Sequence, residues 1–350
     1  MKVLALNLPQ FHEVAENNEW WGKGFTEWTN VKKAKPLYKG HVQPMVPLEG
    51  YYDLSKVEAI NHQAELAKAY GVYGFVYFHY WYEGRKMLEK PCEILLYNKQ
   101  ININYCFCWA NHSWTRSWDG KEQEVLLEQT YGAETDWDAH IQYLLPFFKD
   151  ERYIKQNNQP VLFIYNSSVI PRVNEMVAYW ENILRCEGFD GLYIVEYIST
   201  KCTKPHIANS KAVYEDEPLY TLRFQTNPLQ KAYRVIQKKR KRTEYQNFDK
   251  IYKMLLKKNR TYGNREIIQG AFPAWDNTPR RGNRGAMVVK GATPEKFEKY
   301  LRELVEADRK NSSKEFIVIN AWNEWGEGAI LEPSQKDGFK YLETIQRVNK

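Results

Sequence analysis

The chain has 350 residues, of which 43% are hydrophobic and 27% are charged, a balance typical of globular proteins and not of disordered chains. This length allows one large core or two ordinary domains. The formal net charge is +7, and because no nucleic-acid-binding signature accompanies the basic residues, a nucleic-acid partner is not expected.

The start of the chain and the cysteines indicate the compartment. The apolar run at residues 2–8 is too short for a signal peptide and predicts a first strand, and no stretch approaches the roughly 20 apolar residues that span a bilayer. The five cysteines are odd in number and show no zinc-binding spacing. We therefore expect a soluble cytoplasmic protein with reduced thiols.

Eight short apolar runs predict β-strands that alternate with helices. The strands are predicted at residues 2–8, 74–81, 101–109, 160–166, 191–197, 211–215, 266–272 and 316–319. Helical spacing predicts helices over residues 53–70, 87–98, 136–148, 171–186, 293–308 and 338–348, with Asp53 and Thr293 as N-caps. Such alternation is typical of parallel sheets, so the chain is predicted to form one (β/α)8 TIM barrel over residues 1–350.

The main rival is an open, doubly wound sheet. That fold would place a glycine-rich phosphate loop after the first strand. Here the first strand is followed by Leu8-Pro-Gln-Phe-His12, and neither GxGxxG nor GxxxxGK[ST] occurs in the chain. The barrel is therefore the preferred architecture.

Two segments interrupt the alternation. Residues 9–52 form a long loop rich in tryptophan, and loops of this length inside a compact domain are usually functional. Residues 219–264 are predicted to be a basic, partly helical insertion. Its basic run, from Lys238 to Arg242, and a second run at residues 257–260 suit either a solvated helix face or an anionic partner, such as a membrane surface or a phosphate-linked glycan.

Polar and aromatic residues gather where the predicted strands end, and in a barrel these ends surround one mouth. Aromatic rings can stack on sugars, amides and imidazoles can bind hydroxyls, and arginines suit carboxylate or phosphate. The alternative is that these residues pack against the body or bond to their own loops, and Asp119-Gly120 predicts only a turn. The residues expected in the cleft are Glu27, Trp28, His79, Tyr80, Trp81, Trp109, Asn111, His112, Trp114, Tyr165, Glu196, Trp275, Asp276, Arg280, Arg281, Asn323 and Trp325.

The strongest catalytic signal follows the eighth strand. Glu324 and Glu327 lie three residues apart in a segment that also contains two tryptophans and two glycines. One carboxylic acid can protonate a leaving oxygen while the second acts as base or nucleophile, which is the chemistry of glycosidic bonds. The alternative is a solvated polar turn, although such turns rarely carry two tryptophans. Neither a Ser-His-Asp order nor metal-ligand spacing competes, so no metal or cofactor is expected.

With these residues in view, the chain resembles the WbsX-type glycosyltransferases of surface-polysaccharide synthesis and, more distantly, glycoside hydrolase family 99. The matching segments are Leu8-Pro-Gln-Phe-His12, Gly24-Phe-Thr-Glu-Trp-Thr-Asn-Val31, Phe78-His-Tyr-Trp81, Cys108-Trp-Ala-Asn-His112, Trp275-Asp-Asn-Thr278 with Arg280 and Arg281, and Asn323-Glu-Trp-Gly-Glu-Gly328. The resemblance implies a metal-free, retaining barrel enzyme in which Glu324 is the base that assists the sugar 2-hydroxyl and Glu327 is the acid and then the base. Gly326 stands where the hydrolases often have a bulkier residue.

These observations predict a carbohydrate-active enzyme of lipopolysaccharide O-antigen or capsule synthesis. It would cleave or transfer glycosyl units with retention, and the sequence leaves hydrolysis and transfer both open. The expected partner is a glycan, including one linked to a lipid diphosphate, and the basic run at Lys238 predicts peripheral contact with the inner face of the membrane. The alternative is a non-catalytic glycan-binding protein that retains the cleft.

Overall fold

Eight parallel strands close into one barrel in the computed structural model, which describes residues 1–116, 121–257, 260–309 and 315–349. Each strand pairs with its neighbours along the chain, and β1 closes the ring by pairing with both β2 and β8. The strands are β1 (Lys2–Asn7), β2 (Val72–Tyr82), β3 (Asn104–Trp109), β4 (Gln159–Ile164), β5 (Tyr193–Ile198), β6 (Ala212–Glu215), β7 (Glu266–Ala271) and β8 (Phe316–Ile319). The predicted barrel is confirmed.

The helices lie outside the barrel or at its mouth. They are α1 (Ala15–Trp21), α2 (Glu27–Lys33), α3 (Val57–Ala69), α4 (Lys90–Tyr97), α5 (Glu134–Lys149), α6 (Val173–Cys186), α7 (Leu219–Phe224), α8 (Pro228–Lys239), α9 (Phe248–Leu256), α10 (Thr278–Arg281), α11 (Pro294–Arg309) and α12 (Lys340–Asn349). Thr293 caps α11 as predicted, because its hydroxyl accepts a hydrogen bond from the Lys296 amide at 3.3 Å.

Two predicted helix starts are wrong. Helix α3 begins at Val57, and the Asp53 carboxylate instead accepts a hydrogen bond from the Ser55 amide at 2.7 Å, so it caps a turn before the helix. The chain after β2 first turns back as a hairpin strand, Arg85–Met87, and α4 begins only at Lys90. In both places a local turn competes with helix initiation.

The connection from β5 to β6 departs from the repeating pattern. Residues 199–211, all of which the structure describes, form no helix. The buried Glu196 carboxylate holds this segment, accepting hydrogen bonds from the His206 amide at 2.7 Å and the Ser210 hydroxyl at 2.6 Å. A buried charge that accepts several hydrogen bonds can replace the packing that a helix would supply.

The two segments that interrupt the alternation have separate structural roles. The loop after β1 carries α1 and α2 onto the mouth of the barrel, where Trp28 packs on Phe11 and Trp325 with ring centroids 4.3 Å and 5.8 Å apart. The basic insertion is partly helical as predicted, with α7, α8 and α9, and its short strand Glu244–Asn247 pairs with Met287–Lys290. Asp119 and Gly120, the predicted turn, and part of the 257–260 run lie outside the described residues.

Candidate active site

The centre of the mouth is one arginine bound to three glutamates. The Arg280 guanidinium donates to Glu27 through Nε at 2.7 Å, to Glu324 through Nη2 at 2.7 Å and to Glu327 through Nη1 at 2.6 Å. The Glu27 side chain is fully buried, whereas the Glu327 side chain is 24% exposed. One fixed fork therefore positions both carboxylates that the sequence predicts to be catalytic.

Three separate strand ends supply this cluster. Glu324 lies in a short strand, Asn323–Glu324, that pairs with Ala329–Ile330 after β8, and Glu327 lies in the tight turn between these two strands. Arg280 comes from α10, after β7, and Glu27 is the first residue of α2, after β1. Because the carboxyl ends of barrel strands meet at one mouth, residues distant in sequence become neighbours here.

Burial sets the protonation of the cluster. It raises the pKa of Glu324 to about 8, with the nearby charges of Glu327 and Glu27 adding to the rise and Arg280 opposing it. Burial also raises the pKa of Glu27. Burial alone would lower the pKa of Arg280, but the three carboxylates outweigh it and hold that pKa well above its ordinary value. Glu324 therefore carries its proton near neutral pH.

Gly326 makes room for this cluster. A Cβ atom at position 326 would lie 1.8 Å from Glu27 Oε1 and 2.7 Å from Arg280 Nε. Both are far below a van der Waals contact, and both belong to buried, hydrogen-bonded groups. The glycine between the two predicted catalytic residues is therefore a requirement of the Glu27–Arg280 ion pair.

We expect Gly326→Ala to destabilise the protein by about 1–3 kcal/mol, because the added methyl group must displace the Glu27–Arg280 pair. Urea unfolding measures this loss. Gly282→Ala is a control for the loss of glycine flexibility, since a Cβ there meets no atom within 4 Å although its φ of 58° is strained. Equal stability of Gly326→Ala and wild type would contradict the packing argument.

The cleft above the glutamates encloses about 570 Å³, within the range of small-molecule sites. An almost continuous row of rings forms one wall, with Tyr80 against Trp114 at 5.6 Å between centroids, His112 against Tyr165 at 5.4 Å, and Tyr165 against Tyr197 at 4.8 Å. Burial lowers the pKa of His112 to about 4, so its ring is neutral at pH 7. Rings and neutral hydrogen-bonding groups of this kind suit a sugar.

Nine predicted residues line this cleft, and Glu27 lies directly behind it on Arg280. The nine are Tyr80, His112, Trp114, Tyr165, Trp275, Arg280, Arg281, Glu324 and Glu327. All three donor nitrogens of the Arg280 guanidinium bind carboxylates of the protein itself.

Three predicted residues lie on the outer face of the barrel. Trp81 stacks on His140 of α5 with ring centroids 4.6 Å apart, His79 Nε2 lies 2.9 Å from His140 Nε2, and Trp109 packs on the same histidine at 4.8 Å. Burial lowers the pKa of His79 to about 3. Successive side chains of a strand point to opposite faces, so Phe78 and Tyr80 face the cleft while His79 and Trp81 face α5. These three side chains therefore lie outside the cleft in which they were predicted.

Three predicted polar residues hold loops together outside the cleft. Glu196 binds the segment after β5, as described above. Asn111 accepts a hydrogen bond from the Asn166 amide at 2.8 Å and donates to the Asn166 carbonyl at 2.7 Å. Asn323 accepts from the Leu8 amide at 2.7 Å and donates to the Leu8 carbonyl at 3.0 Å. These side chains are buried and use their polar atoms within the protein, so they support the site and do not line it.

The remaining predicted residues support the loops of the mouth. Trp28 and Trp325 are buried against each other, and Trp325 donates through its indole nitrogen to Glu332 at 2.6 Å. The Asp276 carboxylate points away from the cleft and binds His41 at 2.6 Å and Gln43 at 2.7 Å. From the same segment after β7, Trp275, Arg280 and Arg281 line the cleft.

Asp216 is a cleft residue that the sequence did not reveal. It follows β6, accepts a hydrogen bond from the Tyr197 hydroxyl at 3.0 Å and another from the Asn320 amide at 3.2 Å, and is 4% exposed. Burial raises its pKa to about 8, with the charges of the neighbouring glutamates adding to the rise. The sequence does contain a signal at this position, because three consecutive acidic residues, 215–217, lie at the end of the sixth predicted strand.

A parallel barrel with paired glutamates and an aromatic wall at its mouth has the architecture and site residues of a carbohydrate-active enzyme. The family model of the WbsX glycosyltransferases matches residues 3–345. The chain belongs to this family.

Curated relatives match nearly the whole chain, and solved structures share its fold. WxcX proteins of two Xanthomonas campestris pv. campestris strains are each 31% identical over 348 residues, which cover 99% of this chain and 49% of the relative. The chain thus spans about half the length of the curated relatives it matches. A glycoside hydrolase-like protein aligns with a TM-score of 0.65 at 14% identity, covering 100% of this chain and 94% of its own. A GH99 endo-α-mannosidase from Bacteroides thetaiotaomicron aligns with a TM-score of 0.55 at 14% identity, covering 99% and 96%. At this identity the two structures share the fold.

In residues 1–116, 121–257, 260–309 and 315–349, no helix is both long and apolar enough to cross a bilayer. Within the same ranges, no group of three or more histidine, cysteine, aspartate or glutamate side chains is arranged to hold a metal ion. All five cysteines are free thiols, and four of them are buried.

Proposed function

We propose that this protein cleaves or transfers glycosyl units with retention, using Glu324 and Glu327, in the synthesis of a surface polysaccharide such as an O-antigen or capsule. The observation that carries the proposal is the Arg280 fork, which fixes both carboxylates at the base of a cleft walled by aromatic rings. The two carboxyl groups differ in burial, and cleavage of a glycosidic bond needs one group to act as an acid and the other as a base.

The resemblance to family 99 supplies a division of labour. Ionised Glu324 takes the proton of the sugar 2-hydroxyl, that oxygen attacks C1, and the leaving oxygen takes a proton from Glu327 as the C1–O bond breaks. Glu327 then deprotonates water or an acceptor hydroxyl, which attacks C1 as the bond between C1 and the 2-oxygen breaks, and Glu324 returns its proton to the 2-oxygen. Two attacks on opposite faces give net retention. A raised pKa makes ionised Glu324 the stronger base.

The acceptor decides between hydrolysis and transfer. A transferase that uses a nucleotide sugar needs cations for the diphosphate, and Arg280 is already bound by three carboxylates. This favours hydrolase-like or transglycosylase-like action on a glycan that is already assembled.

We propose that this glycan is linked to a lipid diphosphate, and that the basic run from Lys238 to Arg242 brings the cytoplasmic protein to the inner face of the membrane.

Glycosyl fluorides test the reaction without knowledge of the natural leaving group. We would offer a panel of α- and β-fluorides of common hexoses, measure fluoride release, and record the anomer of the first product by NMR. Retention predicts that the enzyme uses one anomer of a given sugar and yields a product of that same anomer. An inverted first product would contradict the proposal. Glycan binding on an array without turnover of any fluoride or glycan would favour the non-catalytic alternative.

The raised pKa of Glu324 predicts an unusual pH dependence. With a pKa of about 8, only about one tenth of the free enzyme has Glu324 ionised at pH 7. If Glu324 is the base, kcat/KM for a glycosyl fluoride, which needs no general acid, should rise about tenfold from pH 7 to pH 9. Rates measured with one fluoride across this range check the result, and Asp216→Asn controls for the second carboxyl group that titrates near pH 8. A kcat/KM that stays flat or falls over this range would contradict the assignment of Glu324 as the base.

A further inference from the structure

Helix α8 turns a polar side to the protein and an apolar side to solvent. None of its 12 residues is buried. Arg234 anchors it, donating to the Glu244 carboxylate at 2.8 Å and to the Leu222 carbonyl at 2.6 Å. Leu229 is 82% exposed and Ile236 is 46% exposed. A helix that packs on a core shows the opposite arrangement, with its apolar side inward.

The exposed apolar residues of α8 form one stripe. Leu229, Ala232, Tyr233 and Ile236 stand at positions i, i+3, i+4 and i+7, which share one helix face, and all four are exposed. Of the twelve large hydrophobic side chains that are exposed among the described residues, six lie within residues 224–245. Single exposed hydrophobic residues are ordinary, whereas such a concentration marks a contact surface.

The charge of the protein is concentrated at the same helix. Residues 218–243 contain eight lysines and arginines and no aspartate or glutamate, so the rest of the chain together carries −1. An exposed apolar stripe beside a dense basic cluster is the pattern of helices that lie in the interface of an anionic membrane. A second copy of this chain is a poor occupant, because pairing α8 with itself would bring two such clusters together.

The helix lies beside the mouth of the barrel. An open groove of about 800 Å³ is lined on the α8 side by Tyr233, Lys241 and Arg242, and on the other side by Asn283 and Arg284. Arg281, three residues before Arg284, lines the catalytic cleft. A surface that holds α8 would therefore lie close to the entrance through which a lipid-linked glycan would arrive.

We propose that α8 inserts the apolar stripe formed by Leu229, Ala232, Tyr233 and Ile236 into the headgroup region of an anionic membrane. This inference rests on the proposed membrane contact and deepens it, because it adds burial of apolar side chains to the electrostatic attraction of the basic run. Attraction by charge alone would disappear in high salt, whereas an inserted stripe keeps part of the binding.

Vesicle sedimentation tests the stripe with matched variants. The vesicles contain phosphatidylcholine with phosphatidylglycerol as about one lipid in three, and pure phosphatidylcholine vesicles are the reference. We expect Leu229→Gln/Ile236→Gln to weaken partitioning by about tenfold or more, because two buried aliphatic side chains are lost. The control Tyr97→Gln/Val169→Gln removes two exposed hydrophobic side chains from other elements and should bind like wild type. Fluoride turnover in solution should be unchanged in both variants.

A dye at position 229 reports insertion directly. Leu229→Cys in a Cys186→Ser background carries an environment-sensitive fluorophore, since Cys186 is the one exposed native thiol. A blue shift with anionic vesicles supports insertion. Binding that needs Lys238–Arg242 but is unaffected by Leu229→Gln/Ile236→Gln overturns the inference and leaves the proposed electrostatic contact intact. Absence of binding overturns both. A dimer in solution that the double variant dissociates would show that the stripe is a protein interface, and would also overturn the inference.

Discussion

Glu327→Gln should lower the turnover of glycosides with poor leaving groups by a factor of about 10²–10⁴, the usual contribution of a general acid or base. Glutamine keeps the shape of the side chain and can still accept a hydrogen bond from Arg280 Nη1, so the protein should remain folded. It has no proton to give to the leaving oxygen. Fluoride leaves without protonation, so the first fluoride release from a glycosyl fluoride should be reduced far less.

Glu324→Gln should behave differently, because the base acts whatever the leaving group. We expect first-turnover rates to fall by a similar factor of about 10²–10⁴ for glycosides and fluorides alike. Glu16→Gln is a matched control: its carboxylate also binds an arginine, Arg85, and is 19% exposed, but it lies in α1 outside the cleft. Near wild-type turnover in both cleft variants would show that these glutamates are not catalytic. The reverse pattern on fluorides would exchange their roles.

Removing the cation from the three-glutamate cluster should have the second large effect. Arg280→Gln leaves Glu27, Glu324 and Glu327 in a mostly buried site without a positive partner, and breaking a buried ion pair in this way costs about 3–5 kcal/mol. Activity should also fall by about 10² or more, because neither carboxylate is held in place.

The destabilisation should grow with pH, which distinguishes it from a simple packing defect. Losing Arg280 raises the pKa values of Glu27 and Glu324, and a group with a raised folded-state pKa costs stability as the pH rises above its unfolded value. Urea unfolding at pH 5 and pH 8 should therefore show the larger loss at pH 8. Adding Glu27→Gln to Arg280→Gln should restore part of it. A loss that is the same at both pH values and unaffected by Glu27→Gln would refute the electrostatic explanation.

The fold was predictable because every barrel strand is a short apolar run with a polar boundary, and the count of eight then implied closure. The contacts between the site residues, and the full set of residues that line the cleft, were less predictable. Glu27 and Arg280 were both expected in the cleft, but nothing in their spacing of 253 residues predicts that they bind each other. Asp216 was missed because the acidic run 215–217 gives no sign of which carboxylate faces the cleft.

The phase of the strands explains why His79, Trp81, Trp109 and Glu196 were predicted in the cleft although they lie outside it. A strand rich in aromatic residues on both faces, such as β2, gives no polar alternation to tell inward from outward positions. His79 and Tyr80 were therefore predicted together, although one faces α5 and the other faces the cleft. The same uncertainty affects β5: Glu196 was predicted in the cleft, whereas its neighbour Tyr197 is the residue that lines it.

The hydrogen bonds between Asn323 and Leu8 have a consequence for folding. The Leu8 amide and the Asn323 side chain are 315 residues apart in the chain, and the first and last strands of the barrel, β1 and β8, pair directly. Contacts between such distant residues form late, because a long loop must first be closed. The carboxylate pair should consequently be among the last parts of the molecule to assemble, which means that partly folded chains would be inactive and would not act prematurely on cellular glycans.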